Sequence, residues 1–306
     1  MDYILRTFGL YKRYKKHFAV NDANMTICRG DIYGFVGENG SGKTTIIRLI
    51  TGLIFPHAGS YELFGINSDS KEINEVRRKI GAVVESPSIY QNMSAYDNLK
   101  MQCKILGLPA DERIQNTLDT VGLGYLLNEK KKVSNFSLGM RQRLGIAMAL
   151  LGEPEFLILD EPMNGLDPAG IVEIRELILK LNRERNITFL ISSHILTELS
   201  LVATKYGIIS KGHVIKEITA TELQEELAKT TDIVVDKPEE LTKLIGEILP
   251  DSKISYIPDG VRIAGEFDFN ATLRAIIDAD IRIISINCHE TSFEDYYLET
   301  IGGKRV

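Results

Sequence analysis

The spacing of apolar positions changes twice between residues 31 and 53. Asp31-Ile32-Tyr33-Gly34-Phe35-Val36 is a short, nearly unbroken apolar run, as expected for a strand buried on both faces. Ile46, Ile47, Leu49, Ile50 and Leu53 then recur at helical spacing, and Gly52 suits the cap of a helix over 43–53. Upstream, residues 1 to about 30 carry short apolar runs such as Ile4-Leu5 and Met25-Thr26-Ile27 between polar turns, which predicts antiparallel strands. Residues 71 to about 150 predict mainly helices around one strand, Ile80-Gly81-Ala82-Val83-Val84. Within that stretch Ser94-Ala95-Tyr96-Asp97 reads as a capping box, and Gly107 with Pro109 ends the helix it opens. Phe156-Leu157-Ile158-Leu159-Asp160 and Ile187-Thr188-Phe189-Leu190-Ile191-Ser192 are two further buried strands, with a helix near 168–185 between them. Strands alternating with helices predict a mainly parallel sheet.

The texture changes beyond residue 220. After a helix at about 220–229 the pattern predicts a strand at 231–236, a helix at 238–249, strands at 253–258 and 260–265, a helix at 268–279 and a strand at 281–287. That order is β-α-β-β-α-β, the split arrangement of ferredoxin-like domains, with Pro258-Asp259-Gly260 as the turn between the middle strands. The expected division is therefore an α/β domain over 1–220, with a helical subdomain at about 86–150, and a small α+β accessory domain over 221–306.

Composition narrows the class. No stretch of the 306 residues approaches the roughly 20 apolar residues that span a bilayer, and Met1 to Leu10 lacks the apolar core of a secretory signal. A net charge of −6 argues against a nucleic-acid-binding surface, and Lys130-Lys131-Lys132 reads as a solvated loop. Cys28, Cys103 and Cys288 are far apart and lack metal-ligand spacing, which fits a reduced compartment.

The chemistry concentrates where the strands end. Gly37-Glu38-Asn39-Gly40-Ser41-Gly42-Lys43-Thr44 matches the phosphate loop, in which backbone N–H groups curl around a phosphate and the lysine neutralises the outer phosphates. It sits between a strand and a helix, as the motif requires. Thr44 offers a hydroxyl to Mg²⁺, while Thr45 is either an added phosphate contact or a plain helix residue. Asp160 and Glu161 close an apolar strand; the first is suited to the magnesium water shell and the second to polarising an attacking water.

Ser137-Leu138-Gly139-Met140-Arg141-Gln142 opens an amphipathic helix just before that strand, and with it the chain resembles the nucleotide-binding subunits of ABC transporters. Their Leu-Ser-Gly-Gly-Gln signature corresponds to Phe136-Ser137-Leu138-Gly139-Met140, which keeps Ser137 and Gly139 but has Leu138 for a glycine and Met140 for the glutamine. The resemblance implies a P-loop ATPase fold and a head-to-tail dimer in which Ser137 and Gly139 face the ATP of the opposite subunit. It further implies that Asn164-Gly165-Leu166-Asp167-Pro168 couples the two sites and that His194 contacts the γ-phosphate. Tyr14 corresponds to the aromatic that stacks on adenine, with Tyr11 as competitor. Glu85 stands where most members have a glutamine at the metal, which leaves a replacement oxygen ligand and an altered coupling residue both open.

Glu85, the altered signature, and the ending Ser292-Phe293-Glu294-Asp295-Tyr296-Tyr297 with Gly302-Gly303 make the chain resemble the ATPase subunits of bacitracin-resistance and lantibiotic-immunity exporters. The implied function is ATP hydrolysis powering export of a peptide antibiotic through a separately encoded membrane permease, from the cytoplasmic face of the membrane. Transport of another substrate, or soluble ATPase action on a non-membrane partner, is the alternative. No nucleic-acid partner is expected, and membrane contact is expected only through the permease.

Overall fold

The computed structural model describes residues 2–227, 229–250, 252–265, 267–289 and 292–302; Met1 and Gly303, both used above, lie outside them. The chain separates into two units, Met1–Ala220 and Thr221–Val306.

The first unit opens with β1 (Tyr3–Tyr14), β2 (His17–Ala23) and β3 (Thr26–Cys28), followed by β4 (Ile32–Val36) and α1 (Lys43–Ile50). A hairpin, β5 (Ala58–Leu63) and β6 (Ile66–Asn67), precedes α2 (Ile73–Arg77) and β7 (Ile80–Val83). Helices α3 (Ala95–Leu106), α4 (Asp111–Thr120) and α5 (Leu138–Leu150) fill the segment expected to be helical. Then come β8 (Phe156–Asp160), α6 (Pro168–Arg185), β9 (Thr188–Ser193), α7 (Leu196–Ser200), β10 (Lys205–Ser210) and β11 (His213–Thr219).

Two sheets form. β2-β1-β5-β6 is antiparallel, with β3 added to β1. The second runs β11-β10-β4-β9-β8-β7, parallel from β10 to β7. Helix α1 lies in the core between them: Ile46, Ile47, Leu49 and Ile50 cluster with Ile4, Leu5 and Leu10 of β1, Tyr61 and Leu63 of β5, and Phe156, Ile158 and Leu190 of the parallel sheet. Each such side chain contributes about 1.5–3 kcal/mol on burial, so the helix that carries the phosphate loop is held on its apolar face from both sides.

Helix α1 is shorter than its periodicity suggests. Gly52 takes φ 77°, a left-handed backbone that cannot continue the helix, so α1 stops at Ile50 and Leu53 is left exposed. Ser94 caps α3 by accepting from the Asp97 N–H, but the Asp97 carboxylate accepts from the Ser94 hydroxyl, at 2.7 Å. A full capping box closes instead at Ser292 and Asp295, on α11 (Phe293–Thr300), a helix absent from the expectations.

The hairpins β5–β6 and β10–β11 and helix α7 were likewise not anticipated. In β10, Gly207 interrupts the apolar run. The place of its missing Cβ is taken by the Tyr33 ring, whose hydroxyl donates to Glu217 Oε1 at 2.9 Å. Burial, reinforced by Glu217, holds that phenol pKa well above 10, so Tyr33 remains a donor.

The second unit follows α8 (Ala220–Glu226) with β12 (Thr230–Val235), α9 (Pro238–Ile248), β13 (Lys253–Ile257), β14 (Gly260–Ala264), α10 (Phe269–Asp278), β15 (Ile283–His289) and then α11. Its sheet runs β13-β14-β12-β15, antiparallel throughout. Ile233, Val235, Val261 and Ile263 pack with Leu241, Ile245 and Ile276 of the two crossover helices. β15 begins two residues later than its apolar pattern implies, because Asp280 turns at φ 56° and the Arg282 N–H is held by Asp236 Oδ1 at 3.0 Å.

Candidate functional site

All the candidate chemistry of the parallel sheet lies at the carboxyl ends of its strands, where open α/β sheets bind ligands. The chain order also switches direction there: β4 is flanked by β9 and β10, and the phosphate loop leaves its C-terminal end. Gly37 is buried, Glu38, Asn39 and Gly40 are exposed, and Ser41 and Gly42 are buried again. A Cβ on Gly37 would lie 2.5 Å from Ile209 O, and one on Gly42 would lie 2.4 Å from Ala19 O. Gly40 and Gly42 adopt φ 81° and 116°, a left-handed backbone that L side chains rarely accept. Gly42 caps α1 with no side-chain acceptor, so the first N–H groups of that helix are available to an anion.

Two groups in the loop match a bound phosphate. Ser41 Oγ is buried without a hydrogen-bond partner. Lys43, 5% exposed, folds its ammonium back onto Gly37 O at 2.6 Å and Glu38 O at 3.3 Å. A buried cation and an unsatisfied hydroxyl beside free helix N–H groups make an oxyanion cradle.

Asp160 ends β8 almost fully buried. Its Oδ2 accepts from Thr44 Oγ1 at 2.9 Å, and its Oδ1 accepts from Ser192 Oγ at 2.5 Å. Ser192 also accepts the Glu161 N–H at 2.9 Å, so one hydroxyl at the end of β9 orients both consecutive carboxylates. Glu161 turns away at φ 50°; its Oε1 lies 3.3 Å from Lys43 Nζ and its Oε2 lies 2.7 Å from His194 Nδ1. Thr44, Lys43, Asp160, Glu161 and His194, drawn from three strand ends, are thus assembled in one chain of contacts. Ser192 was not singled out from the sequence, although a hydroxyl pair closing an apolar strand two residues before a histidine is the available signal.

Glu85 lies two residues beyond β7, with φ 61°, and its Oε1 accepts from Arg48 Nη2 at 2.6 Å. Arg48 stands four residues after Thr44, on the same face of α1, and was missed because helical spacing marks it only as a polar position. Tyr14 ends β1, half exposed, with Lys12 Nζ 5.7 Å from its ring centre; Tyr11 is paired inside the sheet, opposite Ala58. Thr45 is a partly buried residue of α1.

The signature residues stand elsewhere. Ser137 caps α5, accepting from the Met140 N–H at 3.2 Å, and is exposed. Helix α5 packs on β7, three strands from β4, a lateral step of roughly 14 Å at about 4.8 Å per strand. Leu138 leans on the neighbouring loop, its Cδ2 3.4 Å from where a Gly165 Cβ would stand, and a Cβ on Gly139 would meet Leu166 Cδ2 of the same loop at 3.9 Å. Asp167 Oδ1 caps α6 through the Gly170 N–H at 3.0 Å, and Pro168 occupies the first helical turn.

A phosphate loop, a paired-carboxylate strand end and a histidine just past the end of the adjacent strand, with a serine-capped signature helix beside them, define an ATP-binding cassette; this chain belongs to the ATP-binding subunits of ABC transporters. Residues 20–164 match the ABC transporter family. The chain is 41% identical over 305 residues to the bacitracin transport ATP-binding protein BcrA of Bacillus licheniformis, covering 99% of each. It is 43% identical over 226 residues to the lantibiotic transport ATP-binding protein SrtF of Streptococcus pyogenes, covering 73% of this chain and 95% of that protein. Among solved structures, cbiO1 of Clostridium perfringens, part of the ABC transporter complex cbiONQ, gives a TM-score of 0.67 at 30% identity, over 82% of this chain and 97% of its own. The protein binds ATP and hydrolyses it to drive transport.

Proposed function

We propose that this chain powers export of a peptide antibiotic, of the bacitracin or lantibiotic kind, through a separately encoded permease on the cytoplasmic face of the membrane. The transport names of the two relatives support the substrate class. The mechanism rests on one observation: the contacts Thr44–Asp160–Ser192 and Lys43–Glu161–His194 meet at the end of the phosphate loop.

ATP takes the cradle of Gly37 to Thr45, with adenine on Tyr14 and the outer phosphates on Lys43 and the N-terminus of α1. Thr44 and Asp160, with Glu85 directly or through water, would hold Mg²⁺. Among the described residues no cluster of three or more His, Cys, Asp or Glu forms a metal cage, so the ion would share its ligands with the nucleotide. When bound, magnesium neutralises charge on the phosphate oxygens. Glu161, steadied by Lys43 and His194, accepts the proton of the attacking water, and His194 reaches the γ-phosphate. Ser137, Gly139 and Asp167 act on the site of a second copy or a homologue in a head-to-tail dimer; the exposure of Ser137 and Asp167 supports that reading. Residues 1–220 would form the ATPase domain, with its helical subdomain at about 86–150. Residues 221–306 would form a ferredoxin-like accessory domain, a reading supported by the split strand order.

The test is Glu161→Gln. The variant is expected to bind ATP, to accumulate as a nucleotide-bound dimer in size-exclusion chromatography, and to lose at least about 100-fold in turnover. Near-normal turnover would remove Glu161 from its role.

A further inference from the structure

The turn between β10 and β11 lies against the phosphate loop without belonging to it. The Gly212 N–H donates to Ser41 O at 2.8 Å, and Gly212 O accepts the N–H of Asn21, in β2, at 2.9 Å. Beside these backbone bonds, Asn21 Nδ2 lies 2.7 Å from His213 Nε2. Lys211 and Gly212 have φ 50° and 83°, the two positive values of a tight two-residue hairpin turn. A Cβ on Gly212 would stand 3.1 Å from Ala19 O and 3.2 Å from Asn21 N, and Gly42 faces the same Ala19 carbonyl. Three pieces of backbone, β2, the turn and the phosphate loop, therefore meet directly, with the Ile209 side chain alongside Gly42.

Strand β2 has a second tie. Its first residue, His17, pairs with Tyr14 of β1 across the hairpin, so β2 is joined to the proposed adenine platform at one end and to Gly212, through Asn21, further along. Adenine and triphosphate are two ends of one rigidly bound ligand. Their joint affinity depends on the separation of platform and cradle, and a shift of about 1 Å forfeits much of the gain from binding both together. We infer that Gly212 and Asn21 are positioning residues that set this separation, clamping the Tyr14 hairpin to the phosphate loop. The inference rests on reading Tyr14 and the loop as two halves of one ATP site.

ATP and inorganic tripolyphosphate, titrated by calorimetry against the full chain, separate the clamp from general damage. Gly212→Ala should weaken ATP about tenfold, the size of one base–aromatic stack, with tripolyphosphate affinity unchanged. Asn21→Ala, which leaves the turn glycine in place, should shift the ratio of the two affinities in the same direction to a smaller extent. In a Tyr14→Ala background, Gly212→Ala should add no ATP-specific loss. Equal loss of both ligands, or an unchanged ratio in both single variants, overturns the clamp, as does an ATP-specific loss that persists without Tyr14. If the unmodified chain binds neither ligand, the ATP-site reading fails first.

Discussion

Ser192 shows how a single hydroxyl can organise a site. Its proton goes to Asp160 Oδ1 and its oxygen takes the Glu161 N–H, in a position with no solvent access. Asp160 is thereby held for Thr44 and Glu161 is directed toward Lys43 and His194. Ser192→Ala removes a donor and an acceptor at once, and no water can reach the gap from bulk solvent. We expect a loss of about 1–3 kcal/mol in stability, read as a lowered Tm in calorimetry, together with reduced ATP turnover. Ser192→Thr should recover part of both, since the hydroxyl is restored. The lysine, the paired carboxylates and the histidine were legible as residue types at motif spacing. The contacts of Ser192 and Arg48 were not, because each joins side chains 32 or 37 positions apart, and a serine or an arginine carries no signal of its partner in linear sequence.

At the scale of elements, strand ends do most of the positioning. β4, β8 and β9 deliver the phosphate loop, the carboxylates and His194 to the carboxyl-terminal end of the sheet, and the left-handed backbone at Glu161 and Glu85 turns each carboxylate away from its strand. The exchange Glu85→Gln tests the role of the second: it breaks the ion pair with Arg48 while keeping an oxygen ligand. Altered peptide protection in cells with unchanged ATP affinity would assign Glu85 to coupling, and unchanged protection and turnover would leave it a plain ligand. In the second unit the elements are tied across the sheet. Arg262 of β14 donates twice to Asp232 of β12, at 2.6 and 2.7 Å, and His289 of β15 lies 3.2 Å away. The Arg262 hydrogen bonds hold the Asp232 carboxyl below its usual pKa of 3.8, against a smaller upward push from burial. A folded-state pKa below the unfolded one contributes stability above about pH 4, and that contribution is lost as pH falls through the folded value. Arg262→Ala should therefore lower Tm at neutral pH, by about 1 kcal/mol in stability, and the gap from the unmodified chain should close below pH 4.

For the whole molecule the questions are what it joins and where. Among the described residues no helix is long and apolar enough to cross a membrane, and the net charge is −6. Under the proposed function, membrane attachment is expected through the permease. Co-expression with its permease should move the chain into the membrane fraction, co-purify the two, and protect cells against a bacitracin or lantibiotic peptide; Lys43→Ala should keep the complex and abolish protection. By itself, the sequence determined the strand–loop–helix of the phosphate loop, the acidic strand end, the serine-capped helix and the change of texture after residue 220, because periodicity and glycine placement are local properties. Tertiary structure decided the rest. Only folding shows that β10, broken by Gly207, is completed by the ring of Tyr33, that Leu138 rests on the loop of Gly165, and that the turn at Gly212 reaches the phosphate loop. Each is a meeting of distant segments, governed by the space one backbone leaves for another, and the order of residues along a chain does not record that space.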